Sequence, residues 1–231
     1  MSRANFNVDV SGGFYTLSEA ARLLGQENGR RISRWLSPTA SGAPAVIKRD
    51  YQKIGDEHEV SFLDLVEIRF VEHFRRTKIT LQSLRVAAHN ARKELGVSHP
   101  FATSSVKFQT DRKQIFLDTA EETGDHQLLN LMTKQIEMYD VIEQLFAKDL
   151  EFSVDGLARK WTPSANIAPN VFISPAYAFG RPVVSARHIP TKTLFDSWQA
   201  NDRSAEKVAN WFDVDALDVE EAVNFELRPL H

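Results

Sequence analysis

A cluster of arginines near the N-terminus has the spacing that best fits a binding chemistry. Residues 30–36 predict a short helix with Ile32 and Trp35 turned inward and the arginines outward. Arginine matches the O6 and N7 acceptors that guanine presents in the major groove of DNA. The residues predicted to meet bases or phosphates on this helix are Arg30, Arg31, Ser33 and Arg34. The alternative interpretation is a solvated basic face on a pair of helices that binds another protein.

Further basic residues follow in the segment 39–60. Small and turn-forming residues there separate short extended runs, which predicts a β-wing beside the helix pair. The wing residues expected to lie near phosphates are Lys48, Arg49 and Lys53. Residues 1–96 hold 15 Lys and Arg against 11 Asp and Glu, although the whole chain has a net charge of −3. The basic part of the chain is therefore the part that predicts DNA binding.

The C-terminal part predicts a second helix pair with the opposite charge. Residues 190–231 hold four Lys and Arg against nine Asp and Glu. The cations that form a possible second surface, for DNA or for a protein partner, are Arg187, Lys192, Arg203 and Lys207. An acidic surface suits a basic partner protein or self-association better than DNA.

Residue patterns for catalysis or metal binding are absent at the spacings that define them. The chain has no cysteine, which excludes disulfides and thiolate zinc sites, and no two of its seven histidines have the three-to-five spacing of ligands on one helical face. It has neither a P-loop nor a dinucleotide-binding glycine motif. We therefore expect no catalytic residues, no metal and no cofactor, and a protein that is not an enzyme.

The chain also lacks signals for a membrane or for secretion. No apolar run approaches the ~18 residues that a membrane span needs. The first ten residues lack the basic-then-apolar order of a secretory signal. A cytoplasmic protein without membrane contact is the expectation.

Local signals predict the helices of the N-terminal part. Thr16 and Glu19 form a capping box before an apolar helical pattern. Ser61 and Asp64 form another, which opens a helix to about Arg76, and a further helix is expected from Thr80 to Leu95. Phe62, Val66, Phe70 and Phe74 recur every fourth residue, which is typical of a helix facing the core.

The remainder is less regular. The runs VKFQT and QIFLD flank 111–113 and predict a β-hairpin, and 128–146 predicts a long helix that is either core or a dimer contact. Residues 149–184 predict short strands and connectors. Three helices follow, the last opened by an Asp218–Glu221 capping box, with Trp211 on the apolar side of the middle one.

Two stretches of the chain resemble known families. YTLSEAARLLG, ISRWL, the wing and VSFLDLVEIRFVEHFRRTKITLQSLRVA together resemble a MerR-like winged helix-turn-helix. FGRPVVSARHIPTKTLFDSWQ, SAEKVANWF and DVEEAVNFEL resemble a helix-turn-helix domain, formerly of unknown function, that is common in antitoxins encoded beside PIN-like ribonuclease toxins. The combination looks like a long VapB-type antitoxin, which implies repression of its own operon and neutralisation of a toxin.

We therefore expect an α+β, mostly α, fold in three parts. These are an N-terminal winged helix-turn-helix at 1–96, a middle hairpin and long helix at 97–165 as a possible dimerisation region, and a C-terminal helix-turn-helix at 166–231. The expected function is a DNA-binding antitoxin whose partners are double-stranded operator DNA, a PIN-like ribonuclease toxin and a second copy of the chain. A homodimer is expected because two-fold operators mirror two-fold proteins. The alternatives are a stand-alone MerR-like transcriptional regulator and a protein-interaction scaffold.

Overall fold

The computed structural model describes residues 12–26, 29–51, 59–103, 106–133 and 149–228. Within them the chain forms a mostly helical α+β fold, as predicted. The helices are α1 (Leu17–Leu23), α2 (Arg30–Trp35), α3 (Phe62–Arg76), α4 (Leu81–Leu95), α5 (Val106–Thr123), α6 (His126–Thr133), α7 (Thr191–Ala200), α8 (Ala205–Phe212) and α9 (Ala216–Leu227). The strands are β1 (Tyr15–Thr16), β2 (Glu59–Val60), β3 (Leu150–Phe152), β4 (Ala158–Trp161), β5 (Val171–Phe172) and β6 (Val183–Val184). They pair antiparallel as β1–β2, β3–β4 and β5–β6.

Capping boxes start the N-terminal helices where the sequence predicted. The Glu19 backbone N–H donates to Thr16 Oγ1 at 3.2 Å, and the Thr16 N–H donates to Glu19 Oε2 at 2.8 Å. Ser61 and Asp64 form the equivalent pair before α3. Gly96, with a φ of 66°, ends α4 in the left-handed conformation. These residues fix helix ends through contacts within a single turn.

Helix α3 forms the centre of the apolar core, as its four-residue periodicity predicted. Phe62, Val66, Phe70 and Phe74 are all buried. The ring of Phe70 stacks on Phe101 with 4.2 Å between centroids. Because aromatic pairs at such distances add to the stabilisation from buried area, this stack anchors α3 to the turn that follows α4.

The predicted wing is not a hairpin in the described residues. Residues 39–51 contain no strand, and β2 pairs instead with β1, with Tyr15 opposite Val60. The runs expected to be extended around Lys48 and Arg49 therefore form no strand among the described residues, and bends lie on either side of these two residues. Lys53 lies outside the described residues.

The predicted β-hairpin around 111–113 is wrong, since this segment lies within helix α5. Residues 111–113 are Asp-Arg-Lys, without the Gly or Asn that favours a tight hairpin turn. In the second half of α5, Ile115, Phe116 and Ala120 are buried at helical spacing. The ring centroid of Phe116 is 5.4 Å from that of Phe74. Packing on α3 thus selects the helix. Residues 128–133 of the predicted long helix at 128–146 belong to α6, and its residues 134–146 lie outside the described part.

The C-terminal part has the predicted order of short strands followed by three helices. Ser204 Oγ accepts from the Lys207 N–H at 3.3 Å and caps α8, as predicted. The box opening α9 is Asp215–Asp218, about one turn before the predicted Asp218–Glu221 pair. Trp211, predicted to face the core, is 66% exposed.

Polar contacts join the C-terminal part to the N-terminal helices. The buried Tyr15 hydroxyl donates to the Gly180 carbonyl at 2.7 Å. Arg22 of α1 forms an ion pair with Glu226 of α9, and Arg228 Nη2 donates to the Arg22 carbonyl at 3.0 Å. These bonds join residues from opposite ends of the chain, so the end of α1 is connected to the end of the last helix. Among the described helices, none combines the length and apolar character needed to cross a membrane.

Substituting Gly180 by Ala should destabilise the protein through the Tyr15 contact. Gly180 has a φ of 85°, and a Cβ there would lie 2.4 Å from the Tyr15 hydroxyl oxygen. Gly42 has a φ of 86°, and a Cβ there would meet no described atom within 4 Å, so Gly42→Ala is the matched control. We expect Gly42→Ala to cost about 1–2 kcal/mol of unfolding free energy and Gly180→Ala about 2–5 kcal/mol. Urea denaturation measures both, and equal losses would contradict the steric role of Tyr15.

Candidate nucleic-acid interface

Helix α2 displays the arginines that the sequence singled out. Its Ile32 and Trp35 are buried in the core, while Arg30, Arg31 and Arg34 lie on the outer side and Ser33 is half-buried. The start of α2 lies against α1, since a Cβ on Gly29 would be 2.8 Å from the Cβ of Leu17. Only glycine allows this close approach, which fixes where α2 leaves α1 and which way its basic face points.

The segment after α2 is held beside the end of that helix. The Ile47 N–H donates to the Trp35 carbonyl at 3.2 Å, and Val46 and Ile47 are buried. Two arginines of α4 hold the same segment from the other side: Arg92 Nη2 donates to the Val46 carbonyl at 2.7 Å, and Arg85 Nε to the Pro44 carbonyl at 3.1 Å. Lys48 follows directly, so this exposed residue is placed close in the chain to the anchored segment.

The basic surface is defined as Arg30, Arg31, Arg34 and Lys48. Three of these residues, Arg31, Arg34 and Lys48, are weakly balanced by acids within the described residues. Arg31 Nη1 is 3.9 Å from Glu72 Oε1, a loose ion pair. Within the described residues, Arg34 and Lys48 form no ion pair. Cations left unbalanced on one face are what a phosphate backbone requires. Arg49 is less well placed than predicted, because it is half-buried and its Nη1 is enclosed without a hydrogen-bond partner among the described residues.

The second predicted surface is different, because its cations are engaged within the C-terminal part. Arg187 pairs with Asp213, and its Nε also donates to the Asp213 carbonyl at 2.8 Å. Lys192 pairs with Asp196, and Lys207 with Asp202 at 2.8 Å. Arg203 lies over the Trp198 ring, 5.7 Å from its centroid. The positive charges of these residues are therefore paired with acids or with an aromatic ring of the same part of the chain, whereas DNA binding would need them to face phosphates.

A cleft of about 430 Å³ lies between α3 and the C-terminal part. At its edge Arg69 makes two hydrogen bonds of 2.8 Å to the two oxygens of Asp149 and lies over Trp161. Glu72 accepts from Arg76 Nε at 3.0 Å. Burial, together with the nearby charges of Arg69 and Arg76, lowers the pKa of His73, so His73 is neutral at neutral pH. Two of the cations that line the cleft, Arg69 and Arg76, are therefore already paired with acids. No local sequence pattern predicts this cleft.

A buried cluster of titratable side chains contacts the segment 44–50, which contains Lys48 and Arg49 and is called the basic segment here. Asp64 and Glu67 of α3 are completely buried, and His99 is 4% exposed. His99 Nε2 is 2.8 Å from Asp50 Oδ1, while His99 Nδ1 is 3.6 Å from Glu67 Oε2 and 3.8 Å from Asp64 Oδ1. Burial by itself would lower the pKa of His99, but the hydrogen bond to Asp50 and the charges of Glu67 and Asp50 raise it to about 10. Burial also raises the pKa of Asp64 to about 7.

Sequence reasoning missed this cluster because its members lie far apart along the chain. Ligand pairs on one helical face have spacings of three to five residues, whereas Asp50, Asp64 and His99 come from three different segments. The one local signal was a second carboxylate, Glu67, three residues after Asp64 on the apolar face of α3. The sequence pattern assigned Asp64 only to helix capping.

Comparison with known proteins defines the fold and no further property. No protein-family model and no curated protein matches the chain. Among solved structures, the X-ray crystal structure of Rv2018 from Mycobacterium tuberculosis is similar, with a TM-score of 0.70 and 20% sequence identity. The match covers 91% of this chain and 96% of that chain. The chain therefore shares its fold with Rv2018 over nearly the whole length of both proteins.

Two arginines of α4 provide a test of what holds the basic segment. Arg92 lies 3.6 Å from the buried Glu67 Oε2, whereas the related Arg85 makes only its bond to the loop carbonyl among the described contacts. Arg92→Ala removes one of the two described cations near the buried Glu67 carboxylate, and we expect a loss of about 3 kcal/mol. Arg85→Ala should cost less than about 1.5 kcal/mol. Urea denaturation compares the two, and similar losses would show that Arg92 does not compensate Glu67.

Proposed function

We propose that this protein is a DNA-binding antitoxin of a type II toxin–antitoxin system. In this proposal α1 and α2 act as a helix-turn-helix, with the segment containing Lys48 in the position of a wing. The protein represses its own operon as a homodimer and neutralises a PIN-like ribonuclease. It is a binding protein and not an enzyme.

The basic surface on α2 is the observation that carries the DNA-binding part. An α-helix with its side chains is about 10–12 Å across, which fits a major groove roughly 12 Å wide. Arg30 and Arg34 lie four residues apart on its outer side, and Lys48 follows the segment anchored to its end. Base contacts from the arginines and a phosphate contact from Lys48 are the assignment these positions support.

A two-fold dimer would place two α2 helices on successive half-sites. Such dimers read half-sites about 34 Å apart, so the operator should be a near-palindrome. The sequence places the candidate dimer helix at 128–146, whose described beginning, α6, packs through Leu128 and Met132.

Exposed apolar side chains of the C-terminal part support the toxin-binding assignment. Trp211 and Leu217 are 66% and 57% exposed. Trp211 lies near the end of α8, and Leu217 lies near the start of α9, which follows it in the chain. Aromatic and aliphatic side chains of this kind are the usual anchors of protein interfaces. The surrounding acids suit a basic partner surface. We assign the ribonuclease to this side because of the resemblance of 167–227 to antitoxin domains.

Gene neighbourhood separates this proposal from a stand-alone regulator. An antitoxin predicts a small nuclease gene beside its own. If that gene is missing and operator binding is found, the MerR-like regulator is the remaining function. If DNA binding is missing altogether, the chain is an interaction scaffold.

DNA binding should weaken when the basic face of α2 is removed. The variant Arg30/Arg31/Arg34→Ala is titrated against the upstream DNA of its own gene and against unrelated DNA over a range of salt concentrations. Because Arg30 and Arg34 are assigned to bases, we expect weaker binding and loss of preference for the upstream DNA. The log–log salt slope should fall by no more than about 1, which is the change for one lost phosphate contact.

The matched control is Lys192/Arg203/Lys207→Ala, which removes the same formal charge from the C-terminal part. Its DNA affinity should equal that of the wild type, because two of these three cations form ion pairs with acids and Arg203 lies over Trp198. The proposal fails if the control loses DNA binding and the α2 variant retains it.

A further inference from the structure

Three polar atoms of the buried cluster lack a hydrogen-bond partner within the described residues, and two of them lie within 4 Å of the third. They are Asp64 Oδ1, Glu67 Oε2 and His99 Nδ1, and none of them is hydrogen-bonded within the described residues. Asp64 and Glu67 are 0% exposed and His99 is 4% exposed. Buried polar atoms of native proteins are almost always satisfied, so three unsatisfied ones in a single cluster indicate a missing partner.

The partner must be positive, because two of the three atoms belong to carboxylates. His99 Nδ1 is 3.6 Å from Glu67 Oε2 and 3.8 Å from Asp64 Oδ1. These distances are too long for hydrogen bonds. Ligands that share one tetrahedral ion at bond lengths of about 2.0–2.2 Å lie roughly 3.3–3.6 Å apart. Glu67 Oε2 is already at the upper end of that distance from the imidazole nitrogen, and Asp64 Oδ1 would reach it after a contraction of about 0.2 Å.

The remaining oxygens of the two carboxylates are held in place by hydrogen bonds. Glu67 Oε1 accepts from the Phe101 N–H at 3.2 Å, and Asp64 Oδ2 accepts from the Ser61 N–H at 2.9 Å. Each carboxylate therefore has one oxygen engaged and directs the other to the cluster. This orientation comes from the fold and needs no ion to produce it.

Asp50 stands in the position of an outer-shell carboxylate. Its Oδ1 is 2.8 Å from His99 Nε2, and its Oδ2 accepts from Ser61 Oγ at 2.6 Å. A histidine that donates Nε2–H to a carboxylate presents its other nitrogen to a metal, which is the usual carboxylate–histidine–metal arrangement. The side chain of Asp50 is 40% exposed, so the cluster has an opening to solvent on this side.

We propose that Asp64, Glu67 and His99 bind a divalent transition-metal ion, for which Zn²⁺ is the best match, with Asp50 orienting His99. An imidazole together with carboxylates selects first-row transition ions over Ca²⁺ or Mg²⁺, which prefer oxygen ligands only. The charges also agree: metal binding would release the proton that His99 otherwise carries, and a divalent ion and Arg92, which is 3.6 Å from Glu67, then balance the three carboxylates.

The ion would join three segments that are distant in the chain. Asp64 and Glu67 belong to α3, His99 precedes the turn at Pro100–Ala102, and Asp50 lies two residues after Lys48. Its role is therefore structural, because it fixes the basic segment and the turn against α3. This proposal does not depend on the function proposed above.

The test is titration of chelator-treated full-length protein with ZnCl₂, followed by calorimetry and by the thermal unfolding midpoint. We expect one saturable equivalent per chain and a rise in the midpoint with added Zn²⁺. Asp64→Asn, Glu67→Gln and His99→Gln should each weaken the affinity about 100-fold or more, and Asp50→Asn about 10- to 100-fold. Two ligand variants beside Asp64→Asn are included because Asp64 also caps α3.

Asp125→Asn is the matched control, since Asp125 is a buried capping aspartate outside the cluster that accepts from the Leu128 N–H. It should bind Zn²⁺ as the wild type does. Co²⁺ gives an independent readout, with d–d absorption bands that His99→Gln should alter. The proposal is overturned if the wild type takes up no stoichiometric Zn²⁺, or if all three ligand variants bind it with unchanged affinity.

Discussion

Helix α3 carries two completely buried carboxylates, Asp64 and Glu67, into the core of the N-terminal part. Isolated buried charges are costly, so groups from several segments must balance them. The Ser61 N–H, the Phe101 N–H, the Arg92 guanidinium and the His99 imidazole all converge on these two side chains. The positions of the basic segment, of α4 and of the turn after it follow from that requirement as much as from apolar packing.

The same helix also connects the two ends of the chain. Just beyond Glu67, Arg69 reaches out of the core to Asp149 and the ring of Trp161. Glu72, about one turn further, faces Arg31 of α2 and Arg76. Helix α3 therefore contacts the C-terminal part through Arg69 and α2 through Glu72.

The two ends of the molecule manage their charge in different ways. Arg31 of α2 lies 3.9 Å from Glu72 of α3, and Glu72 forms a closer ion pair, at 3.0 Å, with Arg76. In the C-terminal part Arg187, Lys192 and Lys207 each pair with an aspartate. Both parts contain basic residues in sequence, but among the described residues Arg34 and Lys48 form no ion pair, whereas these three C-terminal cations do.

The sequence by itself determined what acts within a few residues: the capping boxes at Thr16 and Ser61, the left-handed end at Gly96 and the outward arginines of α2. It failed where packing decides, as in α5, whose helix is selected by the contact of Phe116 with Phe74. It also failed for the cluster of Asp64, Glu67 and His99, and for the pairing of β1 with β2. Ion pairs, metal geometry and strand pairing act through space and depend on distances of a few ångströms. Residues far apart along the chain reach such distances only once the core has formed, so only the tertiary structure decided them.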